Sequence, residues 1–296
     1  MNALRSQDLV FTLYGDYLLG RERGVWVGSL ITLLGRLGVS PVAARVVLSR
    51  MTQKGWLSAE RRGIRSYYGL TRRGRRLLET GRERIYHPPR NEPWDGAWYL
   101  VAYSIPETGR RRRDALRVKL QWLGCGLLTN GLWITPHDVR NELRETAEAL
   151  KVSKHLEVFR GDHLGYSSTA QLVAACWDLQ AINRRYAAFL DRWRPALGHC
   201  AECRQIGGAC PAIGEPGHPC AAPEDCFVRR FQLVHEYRTF PQEDPFLPAP
   251  LLPEDWKGDE AARLFEACHA VLAVPAERYV QQVCEAGETV QAAPAA

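Results

Sequence analysis

At 296 residues, with 46% hydrophobic and 24% charged residues, the chain is long enough for two or three domains with cores of their own. It contains no run of 18 uninterrupted apolar residues and no basic-then-apolar N-terminal signal pattern, so the expectation is a cytoplasmic protein without a membrane partner. The net charge of +6 is unevenly distributed: residues 1–90 hold 17 Lys and Arg against 6 Asp and Glu, a balance of +11, and the remainder carries −5. A basic first third on an acidic body points to a polyanionic partner.

In chain order, apolar residues recur at helical spacing from Gln7 to Leu19, and again from Val27 to Leu37, where Gly38 closes the run. Ser40-Pro41 supplies an N-cap and a proline at the first helical position, which starts a third helix that runs to Gly55. Helix, short Gly-containing turn, helix is a helix-turn-helix. In the third helix Val42, Val46, Val47 and Met51 are expected to pack inward. That leaves Arg45, Ser49, Arg50 and Thr52 as candidates for the major groove. Trp56–Glu60 and Ser66–Leu70 read as short strands around the tip Arg61-Arg62-Gly63-Ile64-Arg65, a wing whose Arg61, Arg62 and Arg65 suit phosphates or a minor groove. Thr71 caps a basic helix carrying Arg72, Arg73, Arg75 and Arg76. The predicted class is α+β, with a winged helix-turn-helix over 1–88 binding double-stranded operator DNA.

Several motifs resemble those of a known family. They are Phe11-Thr12-Leu13-Tyr14-Gly15-Asp16-Tyr17, Trp26-Val27-Gly28-Ser29-Leu30, Gly55-Trp56-Leu57, Arg65-Ser66-Tyr67-Tyr68-Gly69-Leu70-Thr71, Gly131-Leu132-Trp133-Ile134, Cys176-Trp177-Asp178-Leu179 and Leu251-Leu252-Pro253-Glu254-Asp255-Trp256. Together they resemble the repressors of phenylacetate degradation, the PaaX family. The resemblance implies a non-enzymatic homodimeric repressor of an aromatic-acid catabolic operon that leaves a palindrome-like operator when an aryl-CoA, usually phenylacetyl-CoA, binds. It also implies that the central domain is similar to a small nuclease-like subunit of CRISPR adaptation and takes part in dimerisation.

Pro88-Pro89 and Pro93 mark a linker. Beyond it, a strand over Ala97–Ile105, a basic helix over Thr108–Leu123, strands at Cys125–Leu128 and Leu132–Thr135, a helix over Arg140–Leu150 and a strand at Leu156–Arg160 follow the ferredoxin-like order, giving a dimerisation domain over 94–165. A helical effector domain is expected over 170–285, with helices at Leu172–Trp193, Phe227–Phe240 and Asp259–Leu272. An acyl-CoA needs an aromatic slot and cations for its phosphates. Trp177, Tyr186, His235, Tyr237, Arg238 and Trp256 are the candidates, with His235 and Arg238 a pair three apart on one helix.

Cys200, Cys203, Cys210, Cys220 and Cys226 are spaced C-x2-C-x6-C-x9-C-x5-C in a Gly- and Pro-rich segment over 199–226 that the family's usual pattern lacks. Thiolates at such spacings in a reducing compartment more often hold metal than form disulfides. The irregular spacing suits a [4Fe–4S] cluster; zinc is the alternative, and a metal-free or disulfide-forming loop remains open. Two rival functions follow: a metal- or redox-sensing regulator using this cluster, and a nucleic-acid-cleaving enzyme, for which the sequence offers no acidic pair.

Overall fold

The computed structural model describes residues 6–88, 93–204 and 223–289, and they form an α+β fold. The first helical run is not one α-helix: α1 (Ser6–Leu13) passes into a π-helical turn over Tyr14–Leu18. A two-residue strand, β1 (Val25–Trp26), which the sequence pattern does not reveal, precedes α2 (Val27–Arg36). Then α3 (Pro41–Gln53) starts where Ser40 accepts a hydrogen bond from the Ala43 amide at 3.2 Å. Gly55, with φ +72°, ends it in the left-handed conformation. The axes of α2 and α3 bend by 119° across their turn, as in a helix-turn-helix. No single helix among the described residues is long and apolar enough to cross a membrane.

The wing is β2 (Leu57–Arg62) paired antiparallel with β3 (Arg65–Leu70), and β1 completes a sheet of order β1-β3-β2. The tip is tighter than the five residues expected. Arg62 pairs with Arg65 across a two-residue loop, and Gly63 supplies the positive φ that such a loop requires. Thr71 accepts from the Gly74 amide at 3.0 Å to start α4 (Arg72–Tyr86), which lies against the base of the wing. A Cβ at Gly74 would stand 2.2 Å from the Trp56 carbonyl oxygen. Gly74→Ala is therefore expected to cost about 1–3 kcal/mol by overpacking, read as a lowered Tm with unchanged helix content.

The central strands are β4 (Trp98–Tyr103), β5 (Gly126–Thr129), β6 (Leu132–Thr135) and β7 (Leu156–Gly161). They are antiparallel in the ferredoxin-like order β5-β6-β4-β7. The helices α5 (Arg110–Trp122) and α6 (Arg140–Leu150) bury Leu116, Leu120 and Leu143 with Val101 and Trp133 of the sheet.

The expected helix over 172–193 is two helices, α7 (Thr169–Cys176) and α8 (Leu179–Arg204). Trp177 between them is extended (φ −138°, ψ 135°), and the Asp178 carboxylate caps α8 by accepting from the Ala181 amide at 2.9 Å. Next come α9 (Pro223–Tyr237), α10 (Phe240–Glu243) and α11 (Gly258–Thr289). That last helix continues well past Leu272, through Pro275, because Leu272, Ala276, Val280 and Cys284 form one buried stripe that holds it helical.

The chain divides into two compact units, one of residues 1–87, 189–237 and 260–296, the other of residues 88–188 and 238–259. The helices expected to form a domain over 170–285 are shared between them. In the first unit, the core of the winged helix (Leu13, Leu30, Leu34, Leu48, Met51) is continuous with Phe227 and Phe231 of α9 and Val280 of α11.

Candidate nucleic-acid interface

The inner face of α3 is Ala44, Val47, Leu48 and Met51, all buried. Val42 and Val46 do not join it: they are 71% and 43% exposed, contrary to the inward packing expected of them with Val47 and Met51. At about 100° per residue, Val42, Val46, Ser49 and Gln53 fall within about 60° of one another at the middle of the outer face, with Arg45 and Arg50 about 40° to either side. Arg45, Ser49, Arg50 and Gln53 are exposed. Thr52 is half-buried and its hydroxyl donates to the Leu48 carbonyl at 3.0 Å, so it stands off this ridge. The outer face is thus apolar and neutral-polar along its centre and cationic along both edges.

On the wing, Arg61 is exposed and reaches the Gly63 carbonyl at 3.2 Å. Arg62 lies over the Tyr67 ring and donates twice to the Glu60 carboxylate, at 2.9 and 2.6 Å. Arg65 stacks 4.6 Å from the Trp26 ring, which fixes its guanidinium beside the tip. Ile64, at the tip, is fully open to solvent. The arginines of α4 divide by role. Arg73 stacks on Trp56 at 4.0 Å, while Arg75 donates to the Leu19 and Arg21 carbonyls at 2.6 and 3.3 Å and so serves the fold.

The first unit also holds a buried polar node that sequence reasoning did not single out. The π-helical turn carries Asp16, whose side chain is 3% exposed, against Arg230 of α9 and His269 of α11. Arg230 Nε is 3.3 Å and His269 Nε2 3.1 Å from the Asp16 carboxylate, and Tyr86 of α4 donates to Asp16 Oδ1 at 2.9 Å. Arg230 also donates to Glu277 at 2.9 Å. Burial pushes the Asp16 carboxyl up, but the hydrogen bond from His269, the Arg230 charge and the Tyr86 hydroxyl outweigh it and hold the group below its ordinary value. The signal available in the sequence was an ionisable residue inside each of three apolar-periodic runs, Asp16, Arg230 and His269.

The proposed effector residues are dispersed. Tyr186 and Trp256 meet edge-to-face at 5.5 Å in the second unit, where the Tyr186 hydroxyl donates to Asp244 at 2.7 Å. The hollow beside Trp256 has a volume of about 20 Å³, enough for one water and no aryl group. Trp177 stands on a larger groove of about 730 Å³ with Val173, Leu179, Leu251 and Pro253. Its indole N–H donates to the Gly124 carbonyl at 3.2 Å. His235 and Tyr237 belong to the first unit and are buried there: Tyr237 stacks on Phe265 at 3.9 Å. The Thr12 hydroxyl gives its single proton to the Asp8 carbonyl, so His235 Nδ1–H donates to Thr12 at 2.8 Å. Arg238 is half-buried beyond the end of α9, so it does not share a helix with His235 as expected.

Of the cysteine run, Cys200 and Cys203 fall in the last turns of α8 with their side chains outside the description, and Cys210 and Cys220 lie outside the described residues altogether. Cys226 is 7% exposed in the core beside Phe227. Among the described residues, no three His, Cys, Asp or Glu side chains gather to hold a metal ion. Outside that run, Cys125, Cys268 and Cys284 are core thiols and Cys176 is half-buried; burial pushes Cys125 up to about 12 and Cys176 and Cys268 up to about 11.

Family models match three consecutive segments: a PaaX-like protein model over residues 5–74, the PaaX protein central Cas2-like domain over 91–173, and the PaaX-like protein C-terminal domain over 177–282. The transcriptional repressor PaaX of Escherichia coli (strain K12) is 30% identical over 287 residues, spanning 95% of this chain and 84% of that protein. The uncharacterized protein Rv0674 from Mycobacterium tuberculosis has a similar fold, with a TM-score of 0.57 at 22% identity, covering 94% of this chain and 100% of that one. With matches running almost from end to end, the chain belongs to the PaaX family of transcriptional repressors.

Proposed function

We propose that this repressor binds the operator of an aromatic-acid, phenylacetate-type catabolic operon and leaves it when an aryl-CoA such as phenylacetyl-CoA binds. The observation that carries the DNA half is the outer face of α3: a ridge edged by Arg45 and Arg50, next to a hairpin tipped by Arg61 and Arg65. Cations on both edges of a groove-sized helix match phosphates on both walls of a major groove. For the effector, the Trp177 groove is the best-sized of the sites carrying a predicted residue, and its apolar wall suits an aryl group. A mobility shift on the DNA upstream of the protein's own gene is expected to be strong at low salt and to disappear on adding phenylacetyl-CoA. A band that survives the thioester rules out the effector, and absence of any band rules out the DNA reading.

The homodimer is proposed to form through the central domain, where the edge strand β7 presents an exposed Phe159. Phe159→Lys is expected to shift the sedimentation profile toward monomer without changing the Tm of the subunit. The cysteine run is proposed to bind metal, as [4Fe–4S] or zinc. The ligands proposed are Cys200, Cys203, Cys210 and either Cys220 or Cys226, four thiolates drawn from the five. Protein purified without oxygen is expected to contain one such site per chain, with a broad absorption band near ~400 nm for iron–sulfur and none for zinc. Metal-free protein that still represses eliminates the sensing role.

A further inference from the structure

We infer that α3 reads thymine: Val42 and Val46 are specificity-determining contacts to the 5-methyl groups of thymines in the major groove. This rests on the DNA reading above. Two β-branched apolar side chains one helical turn apart, 71% and 43% exposed, gain nothing for the fold by facing water. They occupy the centre of the outer face rather than its margin, flanked by Arg45 and Arg50, so whatever meets the two cations also meets the two valines. Among macromolecules, duplex DNA presents that combination: anionic walls on either side and, on the groove floor, one apolar group, the thymine methyl. The position along the helix agrees, since Val42 and Val46 lie in the N-terminal half of α3, the half that approaches base edges in helix-turn-helix proteins. The ridge therefore selects a site with at least two thymines per half-site, spaced for residues one turn apart.

The test uses the full chain and duplexes selected by it from a random 30-base-pair library. The selected consensus is then remade with uracil in place of thymine at one position at a time, which deletes only the methyl group. Wild-type protein is expected to lose about fourfold in affinity at each of the two contacted positions, the factor that corresponds to one buried methyl-sized group. Val42→Ala and Val46→Ala, both at exposed positions, are each expected to keep the wild-type Tm and to lose discrimination at one of those positions only. A consensus without thymines, or equal binding of thymine and uracil duplexes, overturns the inference while leaving the DNA reading intact. So does discrimination that persists in both valine variants. If the library yields no enriched sequence over random DNA, both the inference and the DNA reading fail.

Discussion

Arg230→Met is expected to lower the stability of the first unit by about 3–5 kcal/mol, the range for removing one member of a buried ion pair, since Asp16 then keeps only its contacts with His269 and Tyr86. Asp16 and Arg230 are each 3–4% exposed at the side chain, so both charges are largely desolvated where they sit. The methionine matches the volume of the arginine stem, so the loss isolates the charge rather than a cavity. For a unit of this size the corresponding fall in Tm is on the order of 10 °C. The double variant Asp16→Asn with Arg230→Met is expected to recover part of that loss, because no unpaired charge remains; a double variant no better than the single would mean packing, not charge, carries the effect. The pH dependence has a fixed sign. Because Asp16 titrates below its ordinary value in the folded protein, its contribution is complete above the unfolded carboxyl pKa of about 4 and is lost as pH falls through the lower folded value. Stability of the native protein is thus expected to be insensitive to this group at neutral pH and to fall at acidic pH, and Arg230→Met is expected to flatten that fall.

Local signals carried most of the secondary structure. Ser40-Pro41, Thr71 and Gly63 each act through a hydrogen bond or φ value set within three residues, and each sits where its chemistry predicts. The central strands were legible for the same reason, as short apolar runs between turns. The failures share a cause: a distant segment decides them. β1 exists only because β3 pairs with it, and α11 crosses Pro275 only because its buried stripe packs on a core shared with the winged helix. Val42 and Val46 are expected inside on apolarity alone, whereas about 100° per residue sets them opposite Met51; α3 is filled by Ala44, Val47, Leu48 and Met51 without them. The Asp16 node joins residues more than 200 positions apart, and no spacing rule connects them. Likewise, His235 and Tyr237 resembled ligand contacts in sequence because aromatic and imidazole side chains suit a pocket and a core equally well.

The arginines of the interface are expected to separate by what each already holds. Arg45→Ala removes a cation from the base-reading half of α3 and is expected to weaken the selected duplex about 5- to 150-fold, equivalent to about 1–3 kcal/mol, with a smaller loss on random DNA. Arg61→Ala is expected to weaken both duplexes alike and to reduce the slope of log affinity against log salt by about one, as befits a phosphate contact on an exposed tip. Arg62→Ala, by sequence the equal of Arg61, is expected to do less, since its guanidinium is already engaged twice by Glu60 and lies over Tyr67. The same pairing predicts an effect of opposite sign. Glu60→Ala removes a carboxylate from the DNA-facing hairpin and releases Arg62, so affinity for random duplex is expected to rise several-fold and the salt slope to steepen by up to about one. In Glu60→Ala, Arg62→Ala should then cost as much as Arg61→Ala does in the native protein. Salt titrations of the four single variants and this double check the set. Equal losses for Arg61→Ala and Arg62→Ala in the native protein, with no gain for Glu60→Ala, would show that the Glu60–Arg62 pair opens on DNA and that the free protein's hairpin does not govern the contact.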